Sequence, residues 1–253
     1  VVGKVRNGDF TARIHVLSND EIGILGDAGN DMIAGLLERE KIRDAFGKYV
    51  TPEIRDEILA GRIPLNGERT EATMLFTDLR DFTSFVESHD PEEVINSMRA
   101  YFTAMQGIIR SHKGLVLQFV GDEVEAVFGV PIPYDGHADR AVQAALEMRN
   151  ALHALNQERA GKGKIPFRHG VGIHTGEVLA GNTGSHDRLS YALIGDTVNL
   201  ASRIQGLTKE FQCDILLSEA TAVKLQDPFH LEKEPAQRVK GYSRPITVYR
   251  ILE

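Results

Sequence analysis

Two aspartates carry the first chemical signal in this sequence. Asp78 stands near the end of a nearly continuous apolar run, Ala72 to Leu79, which reads as a strand followed by a helical start. Ligands of open α/β sheets gather at such strand ends. Asp122 lies in Gly121-Asp122-Glu123, between the short runs Leu115 to Val120 and Val124 to Phe128, and this reads as a hairpin turn. If the hairpin is adjacent to the first strand, both carboxylates point into one cleft. Two hard oxygen ligands with open positions suit Mg²⁺ or Mn²⁺, which bind through a few carboxylates plus substrate phosphates. A metal pair held in this way lowers the pKa of a hydroxyl nucleophile and holds a leaving pyrophosphate. Singly, each aspartate has a plainer role, a helix cap for Asp78 and good turn chemistry for Asp122. On neighbouring elements together, they read as metal ligands.

Other residues match that chemistry. Asn199 and Arg203 are one helical turn apart and share a face, an arrangement that by itself is more often solvated surface. Lys240, in Val239-Lys240-Gly241, is by itself an ordinary strand-end lysine. The backbone N–H groups of Phe82 and Thr83, where a helix opens, offer a nest for phosphate.

The elements that must position these residues alternate from Arg69 onward. After the first strand, Pro91 to His112 reads as a helix, with Pro91 at its start and Gly114 just past its end. The hairpin follows, then an Ala-rich helix from Ala138 to about Glu158. Phe167 to His174 and Glu177 to Ala180 read as two strands. Gly195 to Leu207 begins a helix, Asp214 to Leu217 is a strand, and Ser218 caps a short helix. Short strands are expected at Phe229 to Leu231, Arg238 to Lys240 and Thr247 to Ile251. One α/β (α+β) sandwich, a ferredoxin-like mixed sheet with flanking helices, accounts for this order.

Composition sets the bounds. A net charge of −7 leaves no excess of Lys and Arg to neutralise a nucleic-acid backbone, so no nucleic-acid partner is expected. The single cysteine, Cys213, excludes a disulfide framework and a cysteine-based zinc cluster, and fits a reducing cytoplasm. No apolar stretch approaches the roughly 20 residues that span a bilayer. The start, Val1-Val2-Gly3-Lys4, lacks an initiator Met and reads as an excised soluble fragment.

Residues 1–45 differ from the rest. Asn7-Gly8-Asp9 is a turn, Phe10 to Leu17 a short extended run, and Ser18 with Glu21 forms a capping box for the helix that follows. In that helix Ile22, Leu25, Gly29, Met32 and Leu36 make a seam of period 3.5, widened by Ile33 and Leu37. With no other core material nearby, this helical coiled-coil segment calls for a partner chain, best met by a parallel dimer. Residues 46–66 form a helical connector, interrupted at Thr51-Pro52 and closed by Gly61.

Two resemblances follow. Gly8 to Arg13, Asp20-Glu21-Ile22-Gly23 and Asn30-Asp31-Met32 resemble the second half of a HAMP signalling module, which usually follows a transmembrane helix and forms a parallel four-helix coiled coil. This implies a cytoplasmic domain of a membrane-anchored protein. Phe76 to Thr83, Phe119 to Glu123 and Tyr191 to Arg203 resemble, in the family's order, the motifs of class III adenylate and guanylate cyclases. That likeness covers the chain from about Glu71 to its end, within a catalytic domain placed at residues 67–253. It implies ATP as substrate, possibly GTP, with two Mg²⁺ or Mn²⁺ ions per active site on Asp78 and Asp122. It also implies Asn199 on the ribose, Arg203 on the α-phosphate and Lys240 on the terminal phosphates. The family works as head-to-tail dimers, so the aspartates of one copy would face Asn199, Arg203 and Lys240 of the other.

The pattern breaks at the base. Where adenylate cyclases usually carry Lys, this chain has Gln118; where they carry Asp or Thr, it has Ala192. Guanylate cyclases usually have Glu and Cys there. Gln118 can donate and accept, so it meets either purine edge, and Ala192 adds no hydrogen bond. Asp81 replaces a frequent Gly and is expected to turn outward. Adenylate cyclase is the leading reading. A guanylate or dual-specificity cyclase is its sibling, and a nonproductive nucleotide-binding dimer is a second class. A diguanylate cyclase is set aside, because Val120-Gly121-Asp122-Glu123-Val124 poorly matches its Gly-Gly-(Asp/Glu)-Glu-Phe loop.

Overall fold

The computed structural model describes residues 1–15, 20–49, 54, 60, 67–185, 189–239 and 241–252, without the side chains of 43–49 and 189. It divides into two compact units, Val1–Asp56 and Glu57–Glu253.

The first unit holds a short helix, α1 (Val2–Arg6), and a long one, α2 (Glu21–Tyr49). The Asp20 carboxylate accepts from the N–H groups of Ile22 (2.9 Å) and Gly23 (3.2 Å) and so caps α2. Ser18, the cap expected from sequence, and the Thr51-Pro52 interruption both lie outside the described residues. The expected extended run does not form a strand over Phe10–His15. Its Ile14 N–H donates to the Asn30 side-chain carbonyl (2.8 Å) and its Ile14 C=O accepts from the Asn30 amide (2.9 Å). One side-chain amide thus satisfies both backbone groups that a neighbouring strand would have taken. Ile33 of α2 is buried at 2 % exposure, whereas Ile22, Leu25 and Met32 of the expected seam are 70, 69 and 63 % exposed in the single chain. None of the described helices is long and apolar enough to cross a membrane.

The second unit is built on an eight-stranded mixed sheet: β1 (Glu68–Leu79), β2 (Leu115–Val120), β3 (Glu123–Phe128), β4 (His169–Gly184), β5 (Leu189–Ile194), β6 (Ile215–Ser218), β7 (Leu231–Lys233) and β8 (Val248–Ile251). Its order is β2-β3-β1-β4-β6-β8-β7, with β5 paired to β4. Only β4–β6 is parallel; β1, β2, β3 and β4 make the antiparallel ferredoxin-like core. Helices α3 (Phe82–Ser88), α4 (Pro91–Ser111), α5 (His137–Gly161), α6 (Asp196–Glu210) and α7 (Glu219–Ala222) complete it.

Strand alternation sorts these helices between faces. Ile215 and Leu217 of β6 belong to the core formed with Tyr101, Met105 and Ile109 of α4 and Met148 of α5. Leu216, between them, packs instead with Leu200, Ile204 and Leu207 of α6. Each such fully buried side chain contributes about 1.5–3 kcal/mol. Helix α6 can lie directly on β4 because Gly172 has no side chain: a Cβ there would sit 2.1 Å from the Gln205 backbone nitrogen.

Three expectations are corrected. The strand expected at Arg238 to Lys240 does not form over its described residues, where the neighbouring Gln237 makes only an isolated bridge to Ile246. The strands read at Phe167–His174 and Glu177–Ala180 are one strand, β4, since Thr175 and Gly176 pair with Thr73 and Ala72 without a break. The segment Leu189–Ile194, not read as a strand, is β5, held along the far end of β4. Several buried polar side chains in this interior are joined to one another. A hydrogen-bonded series runs His137–Thr73 (2.8 Å), Thr73–Thr175 (2.8 Å), Thr175–Thr221 (3.2 Å), Thr221–Ser218 (3.1 Å) and Ser218–His174 (2.7 Å). The Ser218 hydroxyl also accepts from the Thr221 N–H and caps α7, as its sequence suggests.

Candidate active site

The β1–β3 ladder runs Thr73↔Phe128 to Thr77↔Val124. The next step brings Asp78 level with the β2–β3 turn, where Gly121 takes a positive φ (62°) and Asp122 follows it. The two carboxylates therefore meet, as the sequence requires if the hairpin neighbours the first strand. Both are half-buried. Burial, then a hydrogen bond with Asp122 and the Asp122 charge, push the Asp78 carboxyl up to about 7; Glu123 adds to this and Lys209 opposes it. Like charges held this close disfavour joint ionisation, a cost that a bound divalent cation would relieve. Among the described residues no group of three or more His, Cys, Asp or Glu could hold a metal ion, and this pair offers two carboxylates. Hard oxygen donors, few in number, fit Mg²⁺ or Mn²⁺.

Beside the pair, Asp81 opens α3 in the left-handed region (φ 61°) and makes no side-chain cap. Its carboxylate accepts from Arg168 at 3.0 Å, so it is turned outward and away from the first-turn amides of Phe82 and Thr83. Gln118 is exposed on β2, and its amide donates to the Glu125 carboxylate across the ladder (2.7 Å).

Asn199 and Arg203 share the solvent side of α6, with Leu200, Ala201 and Ile204 buried beneath. The Arg203 guanidinium lies 5.2 Å from the Tyr242 ring centre, and Gly241 (φ 84°) leaves space for it: a Cβ there would approach Arg203 Nη1 to 3.1 Å. Tyr242 in turn donates to the Asp196 carbonyl (3.2 Å). Ala192 sits on β5 opposite Gly181. Lys240 lies outside the described residues.

These groups are not gathered in one place within a single chain. The start of α6 is tied to Glu177, whose carbonyl accepts from the Thr197 hydroxyl (2.6 Å). Glu177 pairs with Glu71, while Asp78 pairs with Gly170 at the other end of the ladder. Asp78 lies seven residue steps along the strand from Glu71, roughly 23 Å at about 3.3 Å per step. The carboxylates and the Asn199 end of α6 therefore stand at opposite ends of the β1–β4 pair. Lys209, at the other end of the helix, is the α6 residue whose charge reaches Asp78.

Sequence reasoning missed Glu125, Gly241 and Tyr242. Glu125 had a visible signal, a carboxylate inside the apolar run Val124 to Phe128. Tyr242 had none, because its contact with Arg203 joins segments far apart in the chain.

Residues 66–253 match the family described as the adenylate and guanylate cyclase catalytic domain. Adenylate cyclase 1 of Rhizobium meliloti (strain 1021) is 33 % identical over 255 residues, covering 98 % of this chain and 37 % of that protein, so the chain spans little more than a third of that relative. Among solved structures, the guanylyl cyclase Cya2 matches with a TM-score of 0.69 and 35 % identity, over 74 % of this chain and 93 % of that one. The adenylyl cyclase CyaB from P. aeruginosa matches with a TM-score of 0.70 and 31 % identity, over 75 % and 97 % of the two chains.

Proposed function

The chain belongs to the adenylate and guanylate cyclase catalytic domain family, and from that premise we propose that it converts ATP to 3′,5′-cyclic AMP and pyrophosphate at sites shared between two copies. The observation that carries this reading is the crowded Asp78–Asp122 pair. Its distance from the start of α6 within one chain supports a composite site.

In the shared site Asp78 and Asp122 of one copy hold two Mg²⁺ or Mn²⁺ ions. When bound, the ions lower the pKa of the ribose 3′-hydroxyl and balance charge on the pyrophosphate. Asn199 of the second copy orients the ribose, so the 3′-oxygen stands in line with the α-phosphorus. Arg203 of the second copy stabilises the charge that develops on the α-phosphate oxygens. Lys240 and the amides of Phe82 and Thr83 hold the phosphate chain, while Gln118 and Ala192 flank the base. The 3′-oxygen bonds to the α-phosphorus, the bond to the bridging oxygen of the β-phosphate breaks, pyrophosphate leaves and the hydroxyl proton passes to solvent.

GTP is the second substrate to test, because Gln118 offers both a donor and an acceptor. A nonproductive nucleotide-binding dimer is disfavoured by the joint presence of Asp78, Asp122, Asn199, Arg203 and Lys240. Upstream, residues 1–45 serve as a partial HAMP module whose exposed Ile22, Leu25 and Met32 pair with a second copy, and residues 46–66 link it to the catalytic domain at 67–253. In the full-length protein this places the domain on the cytoplasmic side of a membrane.

Incubation with ATP or GTP and Mn²⁺ or Mg²⁺, with chromatographic identification of the product, tests the chemistry. No cyclic nucleotide from either substrate under dimer-forming conditions would sink it. Mixing inactive Asp78→Ala and Arg203→Ala chains tests the sharing, since a mixed dimer regains one intact site. Mixed dimers that form and stay inactive would count against composite sites.

A further inference from the structure

Glu125 is out of place by its surroundings. It is 8 % exposed, and its strand neighbours Val124 and Ala126 are fully buried. Burial pushes its carboxyl up, and the Gln118 hydrogen bond partly offsets that. An ionisable side chain kept in an apolar strand needs a partner, and Glu125 has one in Gln118. The two are paired across the β2–β3 ladder, and Gln118 Nε2 donates to Glu125 Oε2 at 2.7 Å. The ladder register shifts between Val116 and Gln118, a bulge that re-aims the strand just before Gln118.

We infer that Glu125 is a positioning residue that sets purine selectivity by locking the Gln118 amide in one of its two orientations. This rests on the cyclase reading above, in which Gln118 meets the base. The two ends of a side-chain amide are nearly equal in size but opposite in hydrogen-bonding sense, and a free one turns to suit its partner. In the structure the Glu125 carboxylate accepts from Gln118 Nε2, so the nitrogen faces Glu125. The Gln118 carbonyl is then held on the other side as an acceptor. A base edge presenting N–H to that oxygen is favoured, and an edge presenting a lone pair is opposed. Without Glu125 the amide turns over at little cost and meets either purine.

Steady-state kcat/KM for ATP and for GTP, measured on the whole chain with Mn²⁺, tests this in Glu125→Gln, Glu125→Met, Gln118→Ala and the Glu125→Met/Gln118→Ala pair. Glu125→Gln keeps the shape but can donate or accept, which releases the lock. Glu125→Met removes a buried charge and is expected to fold. Both should move the ATP-to-GTP ratio toward unity by about tenfold, the size of one oriented hydrogen bond to the base. The change should lie mainly in KM for the preferred nucleotide. Gln118→Ala should give the same ratio, and adding Glu125→Met to it should change nothing further. An unchanged ratio in both Glu125 variants, or equal losses for both nucleotides, would overturn the inference while leaving the cyclase reading intact. A wild-type chain that makes no cyclic nucleotide would instead fail the reading on which it rests.

Discussion

The guanidinium of Arg203 lies over the ring of Tyr242, 5.2 Å from its centre, and the same tyrosine anchors its hydroxyl on the Asp196 carbonyl at the opening of α6. A flexible cation is thereby fixed by an aromatic face before any phosphate arrives. Replacing Tyr242 with Leu removes the ring and frees the arginine; a cation–π contact of about 1 kcal/mol corresponds to a fall in kcat of roughly threefold to tenfold. Tyr242→Phe keeps the ring and should retain most of the rate. Arg203→Lys should not substitute, because the ammonium lacks the planar fork. Steady-state kinetics on the three variants checks this, and a Tyr242→Leu chain with wild-type kcat would remove the tyrosine from the account.

Asp78 is set against Asp122 at a cost to stability. Its carboxyl is raised to about 7, so without metal the folded domain loses stability as pH rises from the ordinary carboxylate range through neutrality. Asp78→Asn removes one charge and keeps the shape. After discounting for the half-exposed setting, the relief is about 1–2 kcal/mol, or a melting temperature higher by roughly 2–5 °C at pH 8 without metal. Cyclase activity should fall at least about a hundredfold. Millimolar Mn²⁺ should raise the melting temperature of the wild type and have little effect on the variant. A variant that melts lower than the wild type, or one stabilised equally by Mn²⁺, would argue against the carboxylate pair as the metal site.

The parts of this architecture legible in the sequence are those written in local periodicity. The apolar run ending at Asp78, the hairpin around Asp122 and the helices begun at Pro91 and near Ala138 all stand close to where their patterns put them. What escaped depends on pairing between distant segments. Thr175-Gly176 reads as an interruption, yet Gly176 continues β4 while leaving room for Thr197, whose hydroxyl a Cβ would meet at 2.7 Å. β5 is apolar but for Ser190, and so short an apolar run reads equally as helix; its ladder to β4 makes it a strand. The partnership of Gln118 with Glu125 is a consequence of register, and register is set by the bulge after Val116. The seam of α2 is legible as a pattern without core material nearby, and Ile22, Leu25 and Met32 are accordingly exposed in one chain.

Acid should loosen the fold through its buried histidines. His169 shares a hydrogen bond with the Tyr101 hydroxyl, and His174 with Ser218. Burial holds both at about 4, with Arg80 adding to the effect at His169 and Asp196 opposing it at His174. The unfolded chain protonates both near 6.5, so it binds more protons than the folded chain between these values. Their contribution is complete above pH 6.5 and is lost as pH falls toward 4, by about 3 kcal/mol each. Urea melts at pH 7.5 and pH 5 should show this loss, and His174→Gln should flatten the slope. A stability that is level across the window would show that the imidazoles are not held neutral.

Asp81 takes φ 61° at the start of α3, and its ion pair with Arg168 is exposed on both sides. The backbone, not the charge, should therefore decide what this position tolerates. Exposed pairs contribute about 0–1 kcal/mol, so Arg168→Ala should leave melting and activity nearly unchanged. Asp81→Gly relieves the left-handed cost but loosens the unfolded chain, and these offset each other to within about 1 kcal/mol. Asp81→Val places a β-branched side chain in a conformation it strongly avoids and should destabilise by about 1–2 kcal/mol. It should also disturb the amides of Phe82 and Thr83 that open the helix, raising KM for the nucleotide. Thermal melting with nucleotide KM separates the cases. If Asp81→Gly and Arg168→Ala were as damaging as Asp81→Val, the surface pair and not the backbone would be what holds this turn.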